Sequence, residues 1–120
     1  NVANIVNNQR KVWGNFKILS DNENYKVKQI TVSPGCRLSY QYHNKRSETW
    51  VIIKGTGLLT LDDAVSLVIP GKTVSIPLKS KHRIENTHAT ENLVFVEVQS
   101  GMSFEEEDII RLDDDYGRID

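Results

Sequence analysis

A glutamine, two histidines and a glutamate are spaced along this chain so that a folded sheet can bring them to one point. Gln41 and His43 are separated by one residue, Glu48 follows after four more, and His82 comes thirty-four residues beyond Glu48. Alternate side chains of a strand share a face, so Gln41 and His43 project the same way if that segment is extended. Glu48 lies past the polar turn Asn44-Lys45-Arg46-Ser47 and opens a second extended run, Glu48-Thr49-Trp50-Val51-Ile52-Ile53, that can return beside them. His82 starts another strand, with Ile84 on its own face. An amide oxygen, two imidazoles and a carboxylate form a mixed nitrogen and oxygen donor set suited to one borderline divalent ion such as zinc, manganese, iron, cobalt or nickel; donor types alone do not choose among them, and zinc is the first expectation. No thiolate belongs to the set. His88, the third histidine, sits in the loop Asn86-Thr87-His88-Ala89-Thr90 and is expected to be solvated.

Positioning these groups asks for a barrel of short strands. Extended runs fall at residues 13–19, 25–32, 37–43, 48–53, 57–62, 65–69, 73–76, 82–86 and 92–99, separated by Gly, Pro, Asn, Asp or Ser turns. That spacing is the one expected of an all-β sandwich or barrel. Residues 103–110, with Ser103 as a candidate N-cap and a Glu-rich first turn, form the one helical segment expected. Residues 1–10 carry four asparagines and few large apolar groups, which predicts a flexible N-terminal arm or one lent to a neighbour. Residues 11–120 then make a single domain. Asp113-Asp114-Asp115 reads as a solvated charge run, and a chain that opens on Asn1 rather than Met reads as trimmed or processed.

Composition narrows the classes further. A chain of 120 residues fits one domain and buries roughly two-thirds of its unfolded surface, enough for a single core. Hydrophobic residues make up 38% and mean hydropathy is -0.43, the profile of a soluble protein. No apolar run approaches the ~20 residues of a membrane span, and no basic start followed by an apolar stretch marks a secretory signal. A cytoplasmic protein without membrane contact is therefore expected. The net charge of -1, from 15 basic and 16 acidic residues, gives no global attraction to nucleic acid. Cys36, the single cysteine, can form no internal disulfide, which fits a reducing compartment.

Strand parity singles out two ionisable residues. In the run 25–32, Lys28 shares a face with Ile30 and Val32, the side that reads as core. An inward lysine is unfavourable without a partner, and the alternative is a buried stem with its ammonium at the rim. Glu97 alternates with Phe95 and Gln99 while Val94, Val96 and Val98 occupy the other face. Periodicity leaves open which of the two faces the core.

The string from Gly35 through Gln41, His43 and Glu48 to Gly55, and the second from Gly71 through Pro77 and His82 to Asn86, resemble the two signature motifs of the cupin superfamily. That resemblance implies a double-stranded β-helix, or jelly-roll barrel, with one metal held by Gln41, His43, Glu48 and His82. Gln41 stands where most cupins have the first His, and Lys79 where the second motif usually has Gly. A longer match is more specific: residues 38–43 with Arg46, Glu48 and Trp50, then residues 82–86, 96–101, 107–111 and 114–118. These are similar to the cupin domain of type II mannose-6-phosphate isomerases, over nearly everything from Lys11 to Arg118. In that family the domain commonly follows a mannose-1-phosphate guanylyltransferase part, and short stand-alone members also exist.

The resemblance implies interconversion of mannose 6-phosphate and fructose 6-phosphate, so the partner is a small-molecule sugar phosphate. Moving a proton between C1 and C2 passes through an enediol and asks for a nearby cation and an acid/base group. Phosphate asks for cationic partners, arginine above all. Arg46, Arg118 and Lys28 are the expected substrate contacts, and Lys28, Glu97 and Arg118 the expected catalytic groups. Arg83 is expected to point away from the ligands in a structural role. Barrels of this type often pair through their outer sheets, so a homodimer is expected. The chain departs from the family at Asn44, Lys45, Thr49, Lys11-Val12 and Gln29, which is expected to alter the rim of the cavity. A non-catalytic cupin that binds a sugar or sugar phosphate is the alternative reading. An oxygen-using metal cupin ranks below both.

Overall fold

The structure, a computed structural model, describes residues 8–118 of the protein. Strands account for nearly all regular structure: β1 (Asn8–Lys11), β2 (Gly14–Asp21), β3 (Tyr25–Val32), β4 (Tyr40–Tyr42), β5 (Arg46–Lys54), β6 (Gly57–Leu61), β7 (Ala64–Val68), β8 (Thr73–Ile76), β9 (His82–Glu85), β10 (Leu93–Gly101) and β11 (Ile110–Asp113). They form a six-stranded sheet in the order β1-β2-β3-β10-β5-β8 and a five-stranded sheet in the order β11-β4-β9-β6-β7. Every pairing is antiparallel. No helix among the described residues is long and apolar enough to cross a membrane.

Alternation along each strand fills the space between the sheets. On β10, Leu93, Phe95, Glu97 and Gln99 are buried while the intervening valines are half-exposed. This settles the parity left open by sequence: Glu97 faces inward. Arg46, Glu48, Trp50 and Ile52 are the inward set of β5. A core of Phe16, Ile30, Val32, Trp50, Ile52, Leu59, Ile76, Ile84, Leu93 and Phe95, among others, joins the sheets. The inward set changes character midway: Ile84 gives way to His82, Phe95 to Glu97, Ile30 to Lys28 and Trp50 to Glu48. One end of the interior is therefore oil-like and the other ionisable. The apolar end supplies the burial free energy that holds the polar end closed.

Four expectations need correction. Residues 8–10 do not belong to an arm. They open β1, whose backbone pairs Asn8 to Lys17 and Lys11 to Gly14, and an edge strand needs few apolar side chains to form that ladder. Residues 1–7, the rest of the expected arm, lie outside the described residues. The run 37–43 is strand only at Tyr40–Tyr42, with Arg37 in an isolated bridge to Glu85. The segment 103–110 yields only a 3-10 turn, Glu106–Asp108, and Ile110 already belongs to β11. Four consecutive acids after Phe104 do not outweigh a chain that must return to pair with β4.

In the acidic run 113–115, Asp113 and Asp115 are exposed as expected, but Asp114 is buried and all three meet arginines. Arg83 Nη1 donates to Asp113 at 3.0 Å, Arg37 grips Asp115 at 2.7 and 2.8 Å, and Arg118 grips Asp114 through Nε and Nη2 at 2.8 and 3.1 Å. Burial alone would raise the Asp114 carboxyl, but the Arg118 guanidinium and the Arg118 and Tyr116 N–H groups hold it below its ordinary value. Its stabilising contribution is thus present above the ordinary aspartate pKa and lost as pH falls through the depressed one. Asp114→Asn should lower stability at pH 7 by about 1–2 kcal/mol, and denaturant curves should show the gap closing as acid protonates the wild-type carboxyl.

Backbone geometry explains two positions in the motifs. Gly55 has φ +83°, and a Cβ there would lie 2.4 Å from the Asn92 carbonyl oxygen, so the turn from β5 to β6 admits only glycine. Lys79, at the usual glycine position, has φ +66°. Its N–H donates to the His43 carbonyl at 2.8 Å, which ties this strained turn to a candidate ligand. A lysine there strains the backbone by ~1–2 kcal/mol. Lys79→Gly should therefore raise stability by about 0.5 kcal/mol after the loss of glycine's larger unfolded-state freedom, and chemical denaturation of the pair of proteins checks it.

Candidate metal centre

Within β5 a guanidinium and an indole flank a carboxylate at two-residue spacing, so all three share the inward face. Arg46 Nε donates to Glu48 Oε2 at 2.9 Å and Trp50 Nε1 donates to Glu48 Oε1 at 3.0 Å. Two imidazoles approach from the other sheet. His43, just after β4, places Nε2 3.1 Å from Glu48 Oε2, and His82, first in β9, places Nε2 3.9 Å from Glu48 Oε1. The two Nε2 atoms are 3.3 Å apart. His43, Glu48 and His82 are all buried, with donor atoms within 4.8 Å of one another, and could hold a metal ion.

Each ring is oriented from behind. His43 Nδ1 lies 3.1 Å from the Asp108 carbonyl oxygen and His82 Nδ1 lies 2.9 Å from that of Ser80. A carbonyl only accepts, so each Nδ1 carries the proton and each Nε2 turns a lone pair inward. Two lone pairs and a carboxylate oxygen this close repel unless a cation or a proton lies among them. The donor chemistry therefore fits a divalent metal. Burial pushes His82 below its ordinary pKa, against the pull of Glu48, and keeps the ring in its neutral, ligating form. Burial alone would raise the Glu48 carboxyl, but His43 and His82, when protons occupy their Nε2 atoms in place of a metal, and the Arg46 guanidinium hold it well below the usual range.

Cross-strand register lays the remaining groups in rows. Arg111, Gln41 and His82 are neighbours across β11, β4 and β9. Gln41 Nε2 donates to Ser39 Oγ at 2.9 Å, leaving Oε1 for another partner. Opposite them, Lys28, Glu97 and Trp50 form a row across β3, β10 and β5, and Gln99 sits beside Glu48. Gln99 Nε2 donates to Glu97 Oε2 at 2.7 Å. Burial first, and then the neighbouring Glu48 carboxylate, raises Glu97 to about 8. Burial lowers Lys28, opposed by the nearby Glu97 charge.

One cavity is lined by Gln41, Glu48, Trp50, His82 and Glu97, and by six cations: Lys11, Lys28, Arg46, Arg83, Arg111 and Arg118. Four have acidic partners. Lys11 meets Glu106 at 3.6 Å, Arg46 meets Glu48, Arg83 meets Asp113, and Arg118 meets Asp114. Lys28 instead lies over the Phe16 ring, 4.4 Å from its centroid. Arg83 also donates to the Leu38 carbonyl, the structural role expected of it. Arg118 is bound to Asp114 on two of its nitrogens, and Arg46 is 5% exposed against Glu48 and His43. Asn44, Lys45 and Thr49 are exposed and line no part of this cavity. Of the departures expected to alter the rim, only Lys11 touches it. His88 is exposed, yet its Nδ1 accepts the N–H of Thr90 and of Glu91 at 3.0 Å and so shapes its own loop.

Two contributors escaped the reading of residue types. Asp108 takes the N–H groups of Asn44 and Lys45 on its carboxylate at 2.9 and 2.8 Å while its carbonyl orients His43. Arg111 enters the cavity from β11. Both lie in the 107–111 run that carries part of the longer resemblance, which was the available signal.

Comparison with known proteins agrees with this geometry. The chain matches the family described as "Mannose-6-phosphate isomerase C-terminal" over residues 2–114. It is 40% identical over 107 residues to the mannose-1-phosphate guanylyltransferase ManC of Salmonella typhimurium, covering 89% of this chain and 22% of that protein. The alginate biosynthesis protein AlgA of Pseudomonas aeruginosa is 42% identical over 106 residues, covering 88% and 22%. The chain thus spans about a fifth of the length of these curated relatives. Among solved structures, oxalate decarboxylase of Bacillus subtilis superposes with a TM-score of 0.77 at 21% identity, covering 88% of this chain and 29% of that one. A cupin-2 domain of Rhodospirillum rubrum gives a TM-score of 0.68 at 25% identity, covering 78% and 67%. Strand architecture, ligand geometry and sequence identity converge on one assignment: the chain belongs to the mannose-6-phosphate isomerase C-terminal family and has the cupin fold.

Proposed function

We propose that this chain interconverts mannose 6-phosphate and fructose 6-phosphate. The observation that carries the reading is a cavity lined by Glu48, His82, an inward carboxyl, Glu97, and a half-buried ammonium, Lys28, with His43 completing the ligand group behind its wall. A divalent ion held by His43, Glu48, His82 and the Gln41 oxygen would supply Lewis-acid polarisation of the sugar oxygens O1 and O2. Glu97 moves the proton between C1 and C2: burial and then the Glu48 carboxylate raise it to about 8 in the metal-free chain, and an acid/base group works best with its pKa near the working pH. Gln99 fixes its orientation through the 2.7 Å bond. Lys28, the cross-strand neighbour of Glu97, offers positive charge to the oxygen on which negative charge develops in the enediol. Arg46 and Trp50 hold the Glu48 carboxylate in place and saturate its outer lone pairs.

A coupled assay for conversion of fructose 6-phosphate to mannose 6-phosphate tests the reading. Activity should appear with added zinc or another divalent ion and disappear after chelation or with Glu48→Ala. Zinc at about 100-fold over its Kd should stabilise the wild type by ~2.7 kcal/mol, a rise in Tm of order 10 °C, and leave Glu48→Ala unmoved. A wild type that gains this metal-dependent stability and binds sugar phosphate but never turns it over would make the chain a binding cupin and not an isomerase.

Glu97→Gln should lower kcat by ~10³-fold with zinc stabilisation unchanged, since general-base catalysis contributes on that scale; a kcat within a few-fold of wild type would remove Glu97 from the role. The same variant has a pH signature. The Glu97 pKa is raised in the fold, so its contribution to metal-free stability is full below the ordinary value of 4.5 and is lost as pH rises to about 8. The Tm difference should therefore move steadily in favour of Glu97→Gln between those two values and level off above them.

A further inference from the structure

Two of the six cavity cations have no ion-pair partner among the described residues, Lys28 and Arg111. Lys28 stands in register with Glu97, beside the reacting groups. That leaves Arg111, whose Nε is buried and meets no hydrogen-bond acceptor among the described residues. A desolvated guanidinium without an acceptor is unfavourable, and an anion seated in the cavity that Arg111 lines would relieve it. The fork of an arginine matches the oxygens of a phosphomonoester, and its charge persists at every working pH.

Position supports the same assignment. Arg111 is the cross-strand neighbour of Gln41, and Gln41 of His82, so its strand lies two strand spacings, about 10 Å, from the strand that carries His82. An open-chain hexose 6-phosphate separates its C1 and C2 end from its phosphorus by a comparable length. Arg118, which also lines the cavity, has two nitrogens committed to Asp114, which makes it a weaker candidate for the same task. We propose that Arg111 is the phosphate anchor of this cavity, the group that holds the far end of a sugar phosphate while its carbonyl end lies at the His43, Glu48 and His82 group. This rests on the sugar-phosphate reading above and adds to it the residue that selects phosphorylated ligands.

The test is calorimetric titration of the zinc-loaded chain with sorbitol 6-phosphate, which cannot isomerise, and with unphosphorylated sorbitol. Arg111→Gln should weaken sorbitol 6-phosphate by ~30-fold and leave zinc affinity within threefold. Arg111→Lys should recover part of the loss, and the exposed Lys17→Gln should bind as wild type does. In thermal melts sorbitol 6-phosphate should raise the Tm of wild type and not of Arg111→Gln. Binding by Arg111→Gln within threefold of wild type overturns the proposal, as does an equal loss of zinc affinity, which would mark a structural residue. Should Arg111→Gln fail to fold, Arg111→Lys decides: an affinity equal to wild type overturns the proposal and a loss of several-fold supports it. A chain that binds sorbitol 6-phosphate through Arg111 but does not isomerise keeps this inference and loses the isomerase reading. Isomerisation with an unchanged KM in Arg111→Gln does the reverse.

Discussion

Glu48 carries a charge that is 1% exposed to solvent, and removing a carboxylate from water costs several kcal/mol unless charges and hydrogen-bond donors replace the water. Its replacements are drawn from three places in the chain. Arg46 and Trp50 come with it on β5, two residues either side, so half of its environment is set as soon as that strand is extended. His43 and His82 arrive from the opposite sheet. The carboxylate can be buried only where the two sheets close over it, which makes closure of the barrel and assembly of the ligand group a single event.

The strength of that closure comes from the other end of the same strands. Ile52 on β5, Phe95 on β10, Ile30 on β3 and Ile84 on β9 continue the inward faces that carry Glu48, Glu97, Lys28 and His82. A strand that slipped by one residue would turn both sets outward together. Register is therefore specified twice, by apolar burial and by charge pairing, and the polar half can hold groups at unfavourable protonation states because the apolar half offsets them. Trp50 stands at the boundary, packed on Phe95 at 4.5 Å between ring centroids and edge-on to His82 at 5.9 Å, with its N–H on the carboxylate.

Much of this was legible in the residues. Alternation identified the strands in the middle of the chain, and the run 73–76 coincides with β8. The spacing of His43, Glu48 and His82 identified side chains that the fold brings together. What could not be read has physical reasons. β1 and β11 pair at sheet edges with few buried apolar residues, so they lack the alternating signature. The aspartates 113–115 look solvated because their arginines lie up to 78 residues away in sequence. Glu97 had two plausible faces because valines are comfortable on a half-exposed sheet surface. Asp108 works through its carbonyl as much as through its side chain, and no residue-type pattern reports a carbonyl.

The bond from His43 Nδ1 to the Asp108 carbonyl spans 65 residues. A ribosome makes ~5–20 residues each second, so His43 waits several seconds after its own synthesis before the group that aims its ring exists. During that interval the nascent polypeptide offers only loosely arranged donors to whatever ion is abundant around it. The aligned set forms once β11 and the turn before it have docked. For a metal held by these donors, selection would therefore fall to the finished cavity, with its fixed distances, and not to the order in which donors leave the translation machinery.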